Sequence, residues 1–210
     1  VLDRLVGQFA LGLYDGTRRR VLLARDRAGE KPLFYVQRGR ELTFASELKA
    51  LMADPAFPRT IDPRSLDAYL AYGYVPHDRC IFEGVRKLAP AHALAYDIDS
   101  GEARTWAYWT LPEPSADGHG DAQLVDEYDA LLFDAVRRQL VADVPVGILL
   151  SGGIDSSLVA AQAVRAAGGD VRTFTISFPG HGSYDEGPYA RLGADHLGTL
   201  HSELVAQPAT

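Results

Sequence analysis

Between positions 9 and 45, apolar residues fall in short runs (9–14, 21–25, 33–37 and 41–45) broken by turn residues at Asp15-Gly16 and Arg38-Gly39. This pattern predicts antiparallel hairpins. Two short helices follow. One spans 46–52 with Ser46 as its cap, and the other spans 63–72, where Asp62 precedes a proline at the first helical position. Strands resume at 93–97 and 104–108 around Asp99-Ser100-Gly101. The first part therefore has the pattern of an α+β fold built on antiparallel sheets.

The pattern changes after residue 110. Positions 111–120, rich in Pro, Gly and polar residues and without a hydrophobic period, have the composition of an interdomain linker. Beyond it Leu124, Tyr128, Leu131, Leu132, Ala135, Val136 and Leu140 recur at helical spacing and predict an amphipathic helix over 121–141. An unbroken apolar run at 144–150 predicts a strand buried on both faces. It is followed by a Ser/Gly loop, a helix at about 156–167, a strand at 171–178, a helix at about 185–197 and a strand at 200–205. Alternation of strand and helix predicts an α/β domain with a parallel, doubly wound sheet. The expected domains are 1–110 and 121–210, joined by 111–120.

Composition narrows the class without changing the picture. With 47% hydrophobic and 23% charged residues in 210, the chain has the make-up of a soluble globular protein. No run approaches a membrane span or a secretory leader, so the expectation is a cytoplasmic protein with no membrane partner. A net charge of −7 argues against a broad nucleic-acid surface and leaves room for a local phosphate pocket. The one cysteine, Cys80, excludes an internal disulfide, and neither a CxxC pair nor an HExxH run is present. The start at Val1, without an initiator Met, and the stop at Gln207-Pro208-Ala209-Thr210 just after a strand lead us to expect a piece of a longer protein.

The chemistry is concentrated in Ser151-Gly152-Gly153-Ile154-Asp155-Ser156-Ser157. The run lies at the carboxyl end of a strand, with the next helix aiming its first amides back at it, which is where an open α/β sheet binds anions. Gly152 and Gly153 are expected to let successive amides converge without Cβ obstruction, and the hydroxyls of Ser151 and Ser156 to add hydrogen bonds. A carboxylate at Asp155 would repel a phosphate unless a cation lay between them, so Asp155 is assigned to Mg²⁺ carried on a pyrophosphate. The loop has neither the GxxxxGK[ST] nor the GxGxxG pattern, which argues against a kinase-type loop and a dinucleotide fold.

The SGGxDS pattern resembles the signature of ATP pyrophosphatase-like enzymes, which form adenylates. Three earlier segments, Gly7-Gln8-Phe9-Ala10-Leu11-Gly12-Leu13-Tyr14-Asp15, Arg25-Asp26-Arg27-Ala28-Gly29-Glu30-Lys31-Pro32-Leu33-Phe34-Tyr35 and Phe44-Ala45-Ser46-Glu47-Leu48-Lys49-Ala50-Leu51, resemble the later half of the class II glutaminase domain of glutamine-hydrolysing asparagine synthetases. The stretches Gly73-Tyr74-Val75-Pro76 and Ile81-Phe82-Glu83-Gly84-Val85-Arg86-Lys87-Leu88-Ala89-Pro90 extend that likeness. The resemblance implies a glutaminase-like half followed by an adenine nucleotide α-hydrolase-like domain. It implies ATP and Mg²⁺ as cofactors, aspartate and glutamine as further substrates, and asparagine, AMP and pyrophosphate as products. Ser151, Gly152, Gly153, Asp155 and Ser156 would bind the pyrophosphate, and Leu150 and Ile176 the adenosine. A homodimer of the full-length enzyme is compatible with it.

The family's glutaminase nucleophile is an amino-terminal cysteine, which Val1 does not match, so no catalytic residue of that half is assigned here. Cys80, mid-chain between Arg79 and Ile81, is read as structural. The run Ser183-Tyr184-Asp185-Glu186 with Tyr189-Ala190-Arg191 also resembles the family, although Asp185 and Glu186 equally suit the first turn of a helix. His196, His201 and Glu203 fit no common zinc spacing. The family's second acidic, Gly-rich segment would lie beyond Thr210, so these residues alone are expected to have little activity. Action on a carboxylate other than aspartate, or a non-catalytic nucleotide-binding module, fits the same motifs.

Overall fold

The alternating runs of the first part close into two antiparallel sheets. After a 3₁₀ turn at Leu2–Arg4 come β1 (Ala10–Asp15), β2 (Arg20–Arg25), β3 (Phe34–Arg38), β4 (Glu41–Ala45), α1 (Leu48–Leu51), α2 (Pro63–Tyr72), β5 (Val85–Lys87), β6 (His92–Asp97) and β7 (Ala103–Ala107). The computed structural model describes residues 1–114, 120–180 and 182–206. It divides into two units, Val1–Pro114 and Ser115–Thr210. Of the expected linker at 111–120, residues 115–119 lie outside the described residues.

In the first unit, one sheet has the order β1-β2-β6-β7 and the other β4-β3-β5. Leu23, Leu33, Leu88, Leu94 and Tyr96 form one buried cluster, packed against Tyr35 and Leu42 of the second sheet. Each fully buried leucine there stabilises the fold by roughly 1.5–3 kcal/mol. Gly12 lies under the Phe44 ring, and a Cβ at Gly12 would sit 2.7 Å from it. On the other side of the second sheet, Val36 and Val85 pack with Leu51, Phe57 and Cys80. The α2 helix spans the predicted 63–72: Asp62 accepts from the Arg64 amide at 3.3 Å and from the Ser65 hydroxyl at 2.6 Å, and the structure adds a stop at Gly73, φ 76°. The α1 helix is shorter than the 46–52 expected. It starts after Glu47, in extended conformation and without a side-chain cap, so Ser46 does not serve as one. The three-residue strand β5 gives too short a run to show a period.

The second unit contains α3 (Asp121–Gln139), β8 (Gly147–Leu149), α4 (Ile154–Ala167), β9 (Arg172–Ser177), α5 (Gly187–Leu197) and β10 (Leu200–Val205), with a 3₁₀ turn at Gly182–Tyr184. The three strands are parallel in the order β10-β9-β8. Leu150 at the end of β8 packs with Ala160 of α4 and with Ala190 and Ala194 of α5, so both helices cover the same face. This is what right-handed crossovers dictate when strands are added in one direction. The α3 helix packs on α4 through Val136 and Ala163, with Val171, just before β9, in the same cluster. Asp129 reinforces this contact by accepting from Gln162 at 2.6 Å and Arg165 at 2.7 Å.

One expectation needs correction. The run at 144–150 is expected to be buried on both faces, and the neighbouring strand at 171–178 to be buried, but β9 alternates: Thr173, Thr175 and Ser177 are buried, whereas Phe174 and Ile176 are exposed. Leu149 is 78% exposed. Among the described residues, helices cover one face of this sheet, so a continuous apolar run leaves half its side chains bare. No described helix is long and apolar enough to cross a membrane.

The turn after β2 depends on one buried carboxylate. Asp26, 1% exposed, accepts hydrogen bonds from the amides of Glu30 at 2.9 Å, Lys31 at 3.0 Å and Phe9 at 3.3 Å. Its own amide donates to the Phe9 carbonyl at 2.8 Å, and its carbonyl accepts from Ala91 at 2.9 Å. The Arg25 guanidinium ties the same loop to the sheet through the carbonyls of Lys31 and Leu88, both at 2.8 Å. Burial pushes the Asp26 carboxyl up, but the amides of Lys31, Glu30 and Phe9 outweigh it and hold the group below the ordinary carboxylate range. With the folded pKa below the unfolded one, this stabilisation is present above the unfolded value of about 4 and is lost as pH falls through the folded value. Asp26→Asn, which turns a donor toward an amide, is expected to lower stability at neutral pH by about 2 kcal/mol and to lessen the acid dependence. Urea denaturation at pH 7 and at stepped acidic pH measures both.

Candidate functional site

The loop between β8 and α4 is built from its own hydrogen bonds. Leu150 extends β8 by donating its amide to the Phe174 carbonyl at 2.8 Å, and its side chain is 1% exposed in the core. The Ser151 and Ser156 hydroxyls lie 2.9 Å apart. The Ser151 amide points to the Ser156 Oγ, and the Gly153 amide to the Ser151 Oγ, both at 3.3 Å. The hydroxyls expected to face a ligand thus also hold the loop closed on itself.

The first turn of α4 supplies the donors. The Ser157 amide is the first to find a helical acceptor, the Gly153 carbonyl at 3.0 Å. Gly153, at the cap position, has no side chain to offer the amides of Ile154, Asp155 and Ser156. These N–H groups, at the positive end of a 14-residue helix, can cradle an anion. Asp155 is exposed on the same turn and is the one carboxylate of the loop. Among the described residues no three His, Cys, Asp or Glu side chains converge as a metal site. A cation that keeps most of its waters and takes one carboxylate plus phosphate oxygens fits this donor set, as Mg²⁺ does.

The two glycines do different work. Gly152 has φ 79°, and a Cβ there would lie 2.5 Å from the Tyr189 carbonyl carbon and 2.8 Å from the Ala190 nitrogen. Its missing side chain makes room for the α5 backbone, a packing requirement that the expectation of a ligand-facing glycine did not include. At Gly153 a Cβ would meet only the Ser151 Oγ, at 3.4 Å.

The structure brings Ser151, Gly152, Gly153, Asp155 and Ser156 into one turn. It does not bring the side chains of Leu150 and Ile176 together. Leu150 faces the helices, whereas Ile176, 49% exposed, is on the bare face with Phe174. Of the two, Ile176 is the one whose side chain is open to a nucleotide, because Leu150 is 1% exposed and its amide is bonded to Phe174. A cleft of about 520 Å³ between α4 and α5 touches Gly152 and Ile154, but it is walled by Leu158, Tyr189, Leu192 and Leu197 and offers little to a polyphosphate. His196 lies in that cleft, His201 Nδ1 is 2.9 Å from the Thr173 hydroxyl, and Glu203 pairs with Arg191. Asp185, before α5, accepts two backbone amides, a role that only its contacts disclose. In the first unit Cys80 is 4% exposed, and burial pushes its thiol up, away from the reactive thiolate.

Comparison with known proteins agrees with this layout. Residues 1–109 match the family model described as a glutamine amidotransferase domain, and residues 127–210 match that of asparagine synthase. The chain belongs to the glutamine-hydrolysing asparagine synthetase family. Two family members from Bacillus subtilis (strain 168) illustrate the match. Asparagine synthetase [glutamine-hydrolyzing] 3 is 34% identical over 97% of this chain and 35% of its own length, and asparagine synthetase [glutamine-hydrolyzing] 2 is 33% identical over 98% and 29%. Amidase chyE of Penicillium rubens is 32% identical over 94% of the chain and 31% of its own length. The chain thus spans about a third of these relatives.

The family's loop glycines should separate by experiment. Gly152→Ala combines a left-handed backbone with overlap against α5 and is expected to cost roughly 2–4 kcal/mol. Gly153→Ala should stay within about 1 kcal/mol of the parent. Hydrogen exchange across α5 and thermal melts of both variants measure the contrast.

Proposed function

We propose that the second unit binds Mg²⁺–ATP at the Ser151 to Ser156 loop and that the full protein uses it to form an amide. The observation that carries this is the set of uncapped amides of Ile154, Asp155 and Ser156 at the carboxyl edge of a parallel sheet, beside the exposed Asp155. These amides, with Gly153 and the Ser151 and Ser156 hydroxyls, would hold the pyrophosphate as negative charge builds on it. Bound Mg²⁺, with Asp155 as its protein ligand, would neutralise that charge. The Ile176 side chain, with Leu150 at the start of the loop, would line the adenosine end of the site, within an adenine nucleotide α-hydrolase-like arrangement of the second unit.

In the reaction proposed, a carboxylate oxygen of aspartate attacks the α-phosphorus of ATP and pyrophosphate leaves. Ammonia derived from glutamine then attacks the acyl carbon, and AMP leaves with the carboxylate oxygen. Family membership and the relatives named asparagine synthetase support aspartate as the acceptor. The relative named as an amidase, matched at nearly the same identity, favours a second possibility, a different acceptor carboxylate.

Two measurements on the full-length protein test this. Calorimetry is expected to show Mg²⁺-dependent ATP binding that Gly153→Ala weakens about tenfold by placing a methyl at the open side of the loop. Asp155→Asn should remove most of the Mg²⁺ dependence. Failure of the parent protein to bind ATP would leave a non-catalytic module. Incubation with ATP, glutamine and either aspartate or other carboxylic acids, read as AMP, pyrophosphate and amide product, decides the acceptor.

A further inference from the structure

The geometry points to Asp185 as a positioning residue that holds the pyrophosphate loop in shape through α5, an assignment that rests on the nucleotide-binding role proposed for that loop. One carboxylate oxygen, Asp185 Oδ1, accepts the Phe178 amide at 3.1 Å, just beyond β9, and the Gly187 amide at 3.2 Å, at the start of α5. It thereby fastens the first turn of the helix to the end of the central strand. The fit beneath is close. A methyl group at Gly187 would lie 2.9 Å from the Ser177 Cβ and 3.1 Å from carboxylate oxygens of Asp185 and Glu203. One turn further on, Arg191 pairs with Glu203 and ties α5 to β10.

What α5 carries at this point is the loop itself. The backbone at Tyr189 and Ala190 fills the space that a Gly152 side chain would need, and Ala190 is wholly buried against Leu150. A shift of the α5 start would therefore release Gly152 from its left-handed turn and spread the amides that follow it. The hydrogen bonds of Asp185 go to the Phe178 and Gly187 amides rather than to the loop, so it acts through the helix. Its function needs an oxygen at one place rather than a negative charge. That distinguishes it from Asp155, whose charge faces solvent on the loop.

The test compares two substitutions in the full-length protein, Asp185→Asn and Asp185→Glu. Asparagine keeps an acceptor oxygen in place without charge, whereas glutamate keeps the charge and moves the oxygen. Mg²⁺–ATP binding by calorimetry is expected to stay within about twofold of the parent for Asp185→Asn and to weaken at least about fivefold for Asp185→Glu. Hydrogen exchange at the start of α5 should rise only in Asp185→Glu, with thermal melts showing both variants folded. The opposite order of affinities would make Asp185 a ligand of the cation. Equal loss in both, or no loss in either, would also overturn the assignment. If the parent protein itself fails to bind Mg²⁺–ATP, the nucleotide site falls, while the exchange difference between the variants still judges whether Asp185 holds α5.

Discussion

At Gly152 the chain turns through a left-handed conformation directly against the backbone of Tyr189 and Ala190, with no space for a side chain between them. The arrangement of the second unit's loop depends on this contact. It seats the turn between β8 and α4 directly against α5. A helix that starts immediately after such a turn cannot cap its own amides, because Gly153 has no side chain. Those donors are therefore left facing outward. An anion site arises here from what packing forbids as much as from what it provides.

The sheet beneath is built with its polar residues inward. Thr173, Thr175 and Ser177 are buried under α4 and α5, and Thr173 bonds to the Thr199 hydroxyl at 2.7 Å and to His201. Phe174, Ile176 and Leu149 are on the other face, which no described helix covers. The Thr173 hydroxyl is satisfied by Thr199 and His201, whereas the buried Ser177 hydroxyl has no hydrogen-bond partner among the described residues. The two crossovers have the same hand, so every helix they carry is on one side.

The first unit solves a different problem by similar means. Its family-like segment from Arg25 to Pro32 is a turn whose amides satisfy the Asp26 carboxylate and whose carbonyls accept from the Arg25 guanidinium. These residues serve architecture. Removing water from a carboxylate is costly, and three amides aimed at it recover the loss. The same economy recurs at Asp185, where one oxygen serves two amides.

Much of this was legible without coordinates. Local periodicity and turn chemistry determine the hairpins, the α2 helix behind Asp62 and Pro63, the α/β alternation of the second unit and the position of the loop at a strand's end. Each depends on residues a few places apart. Tertiary structure decided what involves residues far apart in sequence: that Gly152 makes room for Tyr189, that Leu150 and Ile176 point to opposite faces, that β9 buries its threonines and not Ile176, and that Asp185 is a fastening rather than a helix-end charge. An apolar run states that a strand is to be buried, but only the crossing of α4 and α5 over the sheet decides which of its sides is.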